Sequence, residues 1–325
     1  MSRLSVIATV RNEADTIVPL LESLAAQTVQ GFEIVVVDGG STDGTPELLR
    51  ERAGRCPALR IVEAPGANIS AGRNRAIEAA RGDVILATDA GVELPPDWVE
   101  LLSRPLLESD RLDVVGGFFA SAPRTTFEFA LGNTTLPLAD EVRPAIFNPS
   151  SRSVAFRRSA WEAAGRYPEW LDYCEDLWFD LELRKRRQRI GFEPAACVAF
   201  RPRPTLGAYF LQYFRYARGD GKARILLGRH ALRYAAYALL TAALLTRRRP
   251  LLALSALGGL AYCRRPWWRI LRTRRRFDWL GPSELALALA WVPLLRLVGD
   301  VAKMCGLPVG LLWSLRRAAA ARGGT

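Results

Sequence analysis

Asp38, Asp89 and the pair Glu175-Asp176 are the residues of this 325-residue sequence best suited to do chemistry. A carboxylate can accept hydrogen bonds from hydroxyl and ring N–H groups, help hold an oxygen-ligated cation, or take a proton from a hydroxyl. Asp38 opens the turn Asp38-Gly39-Gly40-Ser41-Thr42-Asp43-Gly44 behind the apolar run 33–37, and Asp89 stands in Thr88-Asp89-Ala90-Gly91 behind the run 84–87. Thr9, Arg11, Asn12 and Glu13 mark the end of the run 5–10, and Gly66-Ala67-Asn68-Ile69-Ser70-Ala71-Gly72-Arg73-Asn74 follows 60–63. Asp and Gly in such places also make ordinary turns and helix caps. Acids such as Glu175 and Asp176 equally suit a helix N-terminus on dipole grounds alone. One such turn decides nothing. Four in succession point to one shared edge.

The elements that must position these residues alternate in type. Strand-like runs at 5–10, 33–37, 60–63, 84–87 and 113–119 are separated by segments of helical period at 14–26, 46–53, 70–80 and 96–107. That alternation predicts an α/β fold with a doubly wound, mostly parallel sheet and helices on both faces. Ligands of such sheets lie beyond the carboxyl ends of the strands, where the polar turns fall. Residues 121–150, with prolines at 123, 137, 144 and 149, read as a connecting or acceptor-facing loop region. A short strand at 153–156 and helices at 159–164 and 177–189 follow; the last becomes strongly basic, as the helix dipole favours.

Taken in order, Thr9-Val10-Arg11-Asn12-Glu13, Val35-Val36-Val37-Asp38-Gly39-Gly40-Ser41-Thr42-Asp43-Gly44-Thr45, Ala71-Gly72-Arg73-Asn74, Thr88-Asp89-Ala90-Gly91 and Glu175-Asp176 resemble the family 2 glycosyltransferases of GT-A fold. The resemblance runs over roughly residues 3–225. It implies a Rossmann-like catalytic domain that binds a nucleotide-sugar donor. By the same resemblance Asp38, Thr9 and Glu13 lie near the nucleoside, Arg73 is a cation near the nucleotide, and Asp89 holds ribose and a divalent cation, magnesium or manganese. The family usually carries Asp-x-Asp where this sequence reads Asp89-Ala90-Gly91, so one metal carboxylate is missing. Asp89 alone, Glu93, or positive side chains in place of the ion are the alternatives. Asp176 matches the family's general base and Glu175 its neighbour. A sugar hydroxyl is a poor nucleophile and needs such a group to take its proton. Gln212-Tyr213-Phe214-Arg215-Tyr216 resembles the Gln-x-x-Arg-Trp signature of processive relatives, with Tyr for Trp. Arg215 and Arg218 are candidates for the diphosphate, although Tyr209, Tyr213 and Tyr216 also make an ordinary packing stripe.

Charge divides the chain. Residues 1–200 hold 22 Lys and Arg against 29 Asp and Glu, whereas 201–325 hold 23 against 4. The basic part mixes arginines with Leu, Ala and Trp, which favours an anionic membrane surface over nucleic acid, for which no groove-reading motif is present. Its apolar runs, 234–246, 250–263, 285–295 and 304–315, are each shorter than the ~20 residues of a bilayer span. Interfacial helices or shallow re-entrant hairpins are expected, or two short spans paired as a hairpin over 284–315, with Arg296, Asp300 and Lys303 pairing on one helical face. A soluble helical subdomain or oligomer interface is the alternative. The five cysteines are scattered, and the sole histidine, His230, reads as an interfacial polar residue. One histidine argues against a zinc hydrolase or a histidine-based triad. No signal-peptide pattern opens the chain, so the catalytic body is expected on the cytoplasmic face of a membrane.

The sequence therefore predicts a glycosyltransferase domain over 1–225 and a helical, membrane-associated region over 226–325. The expected reaction is inverting transfer of a sugar from a nucleoside diphosphate to a hydroxyl of a membrane lipid or lipid-linked glycan. The competing expectation is a catalytically silent sugar-nucleotide-binding scaffold, which Gly91 keeps open.

Overall fold

In the computed structural model, residues 4–323 are described. The elements run β1 (Leu4–Val10), α1 (Ala14–Ala25), β2 (Glu33–Asp38), α2 (Thr45–Ala53), β3 (Leu59–Glu63), α3 (Ile69–Ala79), β4 (Val84–Asp89), β5 (Val92–Glu93), α4 (Trp98–Leu107) and β6 (Val114–Ser121). Then come α5 (Thr126–Thr135), β7 (Val154–Arg157), α6 (Arg158–Ala163), α7 (Glu175–Lys185), β8 (Ile190–Phe200), α8 (Leu206–Ala223), α9 (Leu227–Thr246), α10 (Arg249–Thr273) and α11 (Pro282–Gly323). They form two compact units: Met1–Ala120 with Leu138–Phe200, and Ser121–Pro137 with Arg201–Thr325.

The first unit carries an eight-stranded sheet in the order β3-β2-β1-β4-β7-β6-β8-β5. The first four strands in that order are mutually parallel, and β7 then pairs antiparallel with both β4 and β6. This is an α/β fold with a mixed sheet, whose parallel part β3-β2-β1-β4 is the one expected from the alternating pattern. Side chains alternate across it as strand geometry requires. Val6, Ala8, Val36 and Leu86 pack with Ile17, Leu20, Trp98 and Leu102 of α1 and α4 on one face. Ile7, Val35, Val37 and Ile85 pack with Ile77, Trp161, Phe179 and Leu183 of α3, α6 and α7 on the other. Both faces are covered, so the central strands are continuous apolar runs, as parallel strands tend to be.

Glycine brings α3 down onto β1. A Cβ at Gly72 would stand 2.8 Å from Thr9 Cγ2, so only a residue without one lets the helix approach this closely. Helix starts follow ordinary chemistry. Asn68 caps α3 by accepting from Ala71 N at 2.9 Å, and Pro46 sits in the first turn of α2.

The second unit is helical. Residues 121–150 contain more order than expected: α5 is a helix, capped by Thr125 Oγ1, which accepts from Glu128 N at 3.2 Å. The region 284–315 is not a hairpin, because α11 runs unbroken through it, Pro293 and Pro308 included. The polar insert that separated the apolar runs is absorbed by ion pairing. Asp300 Oδ1 takes Arg233 Nε at 2.8 Å, while Lys303 stands 4.0 Å away and Arg296 lies over the Tyr262 ring. Glycines allow α8 and α11 to touch backbone to backbone. A Cβ at Gly306 would meet the Phe214 carbonyl, and one at Gly310 the Arg218 carbonyl. His230 is buried, with Nε2 2.9 Å from Asp220 Oδ2, rather than interfacial.

Candidate functional site

Three strand ends set the site's frame. In register across the sheet, Val10 of β1 lies beside Asp38 of β2, and Thr9 beside Asp89 of β4. The two aspartates thus end the strands on either side of β1. Asp38 is buried, and its Oδ1 accepts from Gly40 N, Ser41 N and Ser41 Oγ at 3.1, 2.9 and 2.7 Å. Among the described residues, no hydrogen bond reaches its Oδ2. One oxygen therefore shapes the turn, and the other takes no part in it.

Glu13 caps α1 by position, and its carboxylate accepts from Thr16 Oγ1. The loop that carries it is stitched to the one after β2. Asn12 N donates to Ser41 Oγ, Thr42 N to Asn12 Oδ1, and Ala14 N to Asp43 Oδ2. Asn12 holds a φ of 59°, a left-handed conformation that asparagine tolerates better than most residues. Asn12 and Asp43 thus have a structural task, joining two loops, that their positions in sequence did not reveal.

Helix α3 delivers the second half of the site. Its polar face docks the segment 167–171: Asn68 Nδ2 donates to Glu169 O, Ser70 Oγ to Leu171 O, and Asn74 Nδ2 to Tyr167 O. Asn74 Oδ1 in turn accepts from Trp161 Nε1 and Tyr167 N. That segment leads into α7, which begins with Glu175 and Asp176 directly after Cys174, itself at a φ of 64°.

Arg73 closes the arrangement. It is only 3% exposed, and it donates from Nη1 to Glu175 Oε1 at 2.6 Å and from Nη2 to Asp89 Oδ1 at 2.9 Å. One guanidinium thus ties the start of α7 to the end of β4. Burial works against its charge, but Asp89 and Glu175 together hold it firmly protonated. Glu175 is itself buried, and burial pushes its carboxyl up to about 7 despite Arg73. Asp176, next along the helix, is partly exposed, with Oδ1 accepting from Leu177 N at 2.8 Å. Of the two acids, Asp176 is the more exposed. Asp180, one turn on, is buried, and burial raises its carboxyl well above the usual range.

A carboxyl whose pKa is raised by folding holds its proton more tightly in the native state, so stability falls as pH rises. For Glu175 the contribution is complete below its ordinary value of 4.5 and is lost as pH climbs through about 7. We expect the melting temperature to decline between about pH 5 and about pH 8, and Glu175→Gln to flatten part of that slope. Asp180, shifted in the same direction, keeps the remainder. Melting curves of both proteins across this range check the point; identical slopes would contradict it.

Arg152 was not anticipated. It lies in the turn before β7, with Nε 3.6 Å from Asp89 Oδ2 and its guanidinium carbon 4.6 and 5.4 Å from the ring centres of Phe200 and Phe119. Nothing in Ser151-Arg152-Ser153 signals this, since the neighbours that fix it are distant in sequence. Arg215 and Arg218 lie on α8, in the other unit, and are half-buried.

The donor set does not fit a caged divalent cation. Among the described residues, no three of His, Cys, Asp and Glu come together to hold a metal. Asp89 faces a guanidinium at each oxygen, and position 91, which would supply the second carboxylate, is a glycine with open space around it. An oxygen-ligated ion needs several hard donors, and here one carboxylate is already committed.

Residues 5–163 match the family profile described as Glycosyl transferase family 2. The succinoglycan biosynthesis protein ExoA of Rhizobium meliloti (strain 1021) is 31% identical over 224 residues, which is 65% of this chain and 67% of that protein. The uncharacterized glycosyltransferase YibD of Escherichia coli (strain K12) is 37% identical over 113 residues, 35% of this chain and 33% of its own length. The chain thus spans only about a third of this second relative. Among solved structures, the mannosyltransferase PcManGT from Pyrobaculum calidifontis, in complex with GDP-Man and Mn2+, superposes with a TM-score of 0.57 at 21% identity, covering 96% of this chain and 87% of that one. At that identity the likeness establishes the fold.

Proposed function

From the premise that this chain belongs to the family 2 glycosyltransferases, we propose that it moves a sugar from a nucleoside-diphosphate donor to an acceptor hydroxyl, with inversion. The observation that carries the proposal is the Arg73 bridge. It keeps Asp176 beside the Asp89 end of the sheet, with Asp38 ending the other strand that flanks β1.

The chemistry follows from those positions. Asp38, with one oxygen unengaged, accepts hydrogen bonds from the donor's nucleoside, and Thr9 and Glu13 border the same place. Arg73, too buried to reach far, braces the site and supplies a fixed positive charge. Asp176 takes the proton of the acceptor hydroxyl while that hydroxyl's oxygen attacks the anomeric carbon and the diphosphate departs with the electron pair of the broken bond. A single base without a covalent intermediate makes the displacement inverting. PcManGT is described with manganese; the donors around Asp89 in this chain do not suit such an ion.

The acceptor we infer is a membrane lipid or a lipid-linked glycan. Helix α11 supports this, since Pro282–Ala320 is, among the described residues, long and apolar enough to cross a membrane. In the same unit Leu232, Leu245, Leu257 and Trp268 are exposed, near the arginine runs 247–249 and 274–276. Apolar side chains flanked by cations suit an anionic bilayer surface. We accordingly propose a catalytic domain over 1–225 and a membrane-associated region over 226–325, with the catalytic domain on the cytoplasmic face.

A donor screen tests the whole reading. The full chain, in anionic vesicles, is offered UDP-, GDP-, ADP- and dTDP-sugars with lipid extract, and release of nucleoside diphosphate is measured. Release from one donor, increased by the extract, is the expected result. Nucleotide binding without release from any donor would instead indicate a silent scaffold. Equal retention on anionic and neutral vesicles would remove the charge-based membrane argument.

A further inference from the structure

We propose that Arg152 takes the place of the divalent cation, receiving the charge of the departing diphosphate, and that this transferase works without a metal. The inference rests on the sugar-nucleotide reading above.

Three observations in the sheet-bearing unit carry it. First, Arg152 sits beside the carboxylate from which the ion would be held, with Nε 3.6 Å from Asp89 Oδ2. That is longer than the 2.9 Å contact of Arg73 with Oδ1, so Asp89 is already firmly paired and Arg152 is the looser partner. Second, the guanidinium is held in place. It stacks at 4.6 Å on Phe200 and 5.4 Å on Phe119, and its backbone carbonyl accepts from Thr88 Oγ1 of β4 at 3.1 Å. A cation that is positioned before the ligand arrives loses little in reorganising. Third, Arg152 and Asp89 are partly open, at 20% and 26% side-chain exposure, whereas Arg73 is at 3%. A diphosphate can reach Arg152 and cannot reach Arg73.

The chemistry suits the exchange. A guanidinium presents parallel N–H donors that match two phosphate oxygens, and it stays charged throughout. As the acceptor oxygen forms its bond to the anomeric carbon, the bond to the diphosphate oxygen breaks and its electron pair leaves with the diphosphate. The acceptor's proton goes to Asp176. Arg152 gains and loses no atom; its hydrogen bonds strengthen as negative charge gathers on the leaving oxygens. A divalent ion at Asp89 would have to displace Arg152 from Oδ2 and lie next to two guanidinium groups, with no second carboxylate from Gly91 to offset them.

Calorimetry on the full chain tests this, with UDP, GDP, ADP and dTDP and their nucleosides as probes, in excess EDTA and in excess manganese. The preferred diphosphate is expected to bind with affinity that differs less than about threefold between the two conditions. Arg152→Met should weaken that diphosphate by about tenfold or more while the nucleoside is unaffected, which also reports an intact fold. Gly91→Asp, placed where a Cβ meets nothing within 4 Å, should make diphosphate binding respond to manganese. Tightening of the unaltered protein by manganese beyond about tenfold overturns the proposal, as does undiminished diphosphate binding by Arg152→Met. If no diphosphate and no nucleoside binds under either condition, the sugar-nucleotide reading itself falls and takes this inference with it.

Discussion

Asp176→Asn is expected to lower turnover by about 10²- to 10⁴-fold while leaving nucleoside diphosphate affinity within about twofold. The substitution keeps shape and keeps an acceptor for Leu177 N, which now bonds Asp176 Oδ1 at 2.8 Å. What it removes is the ability to take a proton. The neighbouring acid cannot stand in for it, because Glu175 is buried and its Oε1 is held 2.6 Å from Arg73. Glu175→Gln should therefore behave differently, altering stability and its pH dependence more than the chemical step. Initial rates of diphosphate release, together with calorimetry on the same preparations, separate the two. Loss of affinity in parallel with turnover would mean that Asp176 holds the site together instead of serving as its base.

The strand ends were legible because two independent patterns coincide there. Apolar runs of four to seven residues identify the strands, and the parallel order of β3, β2, β1 and β4 makes their carboxyl ends face one edge. Asp38 and Asp89 follow from that reasoning without knowledge of any contact. Arg152 does not, since its value comes from Asp89, Phe119 and Phe200, between 33 and 63 positions away. Arg73 is intermediate. Its position on a helix after β3 was readable, but its burial between two acids was not.

The second unit shows how local signals are outweighed. The segment 121–150 reads as a loop because of its prolines, yet Thr125-Thr126-Phe127-Glu128 carries the Thr-x-x-Glu spacing of a capping box that announces α5. In α11 the charged insert at 296–303 divides the apolar pattern. Tertiary pairing of Asp300 with Arg233, and hydrogen bonds to it from the Tyr237 and Tyr262 hydroxyls, keep the helix whole. Sequence periodicity describes one helix face at a time and is silent about a partner that neutralises the exception. The same holds for His230, whose burial depends on Asp220 one helix earlier.

Arg73→Met is expected to cost the sheet-bearing unit about 3–5 kcal/mol at pH well above neutral, the usual penalty for stranding a buried charge. Methionine fills much of the volume, so the loss comes from Glu175 and Asp89, both deprived of a partner at 2.6 and 2.9 Å. Glu175 has an escape, because burial already brings its carboxyl up to about 7, and without Arg73 it rises further and takes a proton. The penalty should consequently be level below about pH 7, where the carboxyl holds its proton with or without Arg73, and grow as pH rises above that, whereas a plain packing defect would be indifferent to pH. Arg73→Met combined with Glu175→Gln should recover part of the loss above neutral pH, since the stranded charge is gone. Hydrogen exchange at the amides of β1 and β4 gives the local stability needed, as a protein of two units need not unfold in one step. A single variant within about 1 kcal/mol of the unaltered protein, or a double variant no better than the single, would show that the bridge is dispensable. The catalytic geometry depends on the same bridge, because Asp176 is carried by the first turn of the helix that Arg73 fastens to β4.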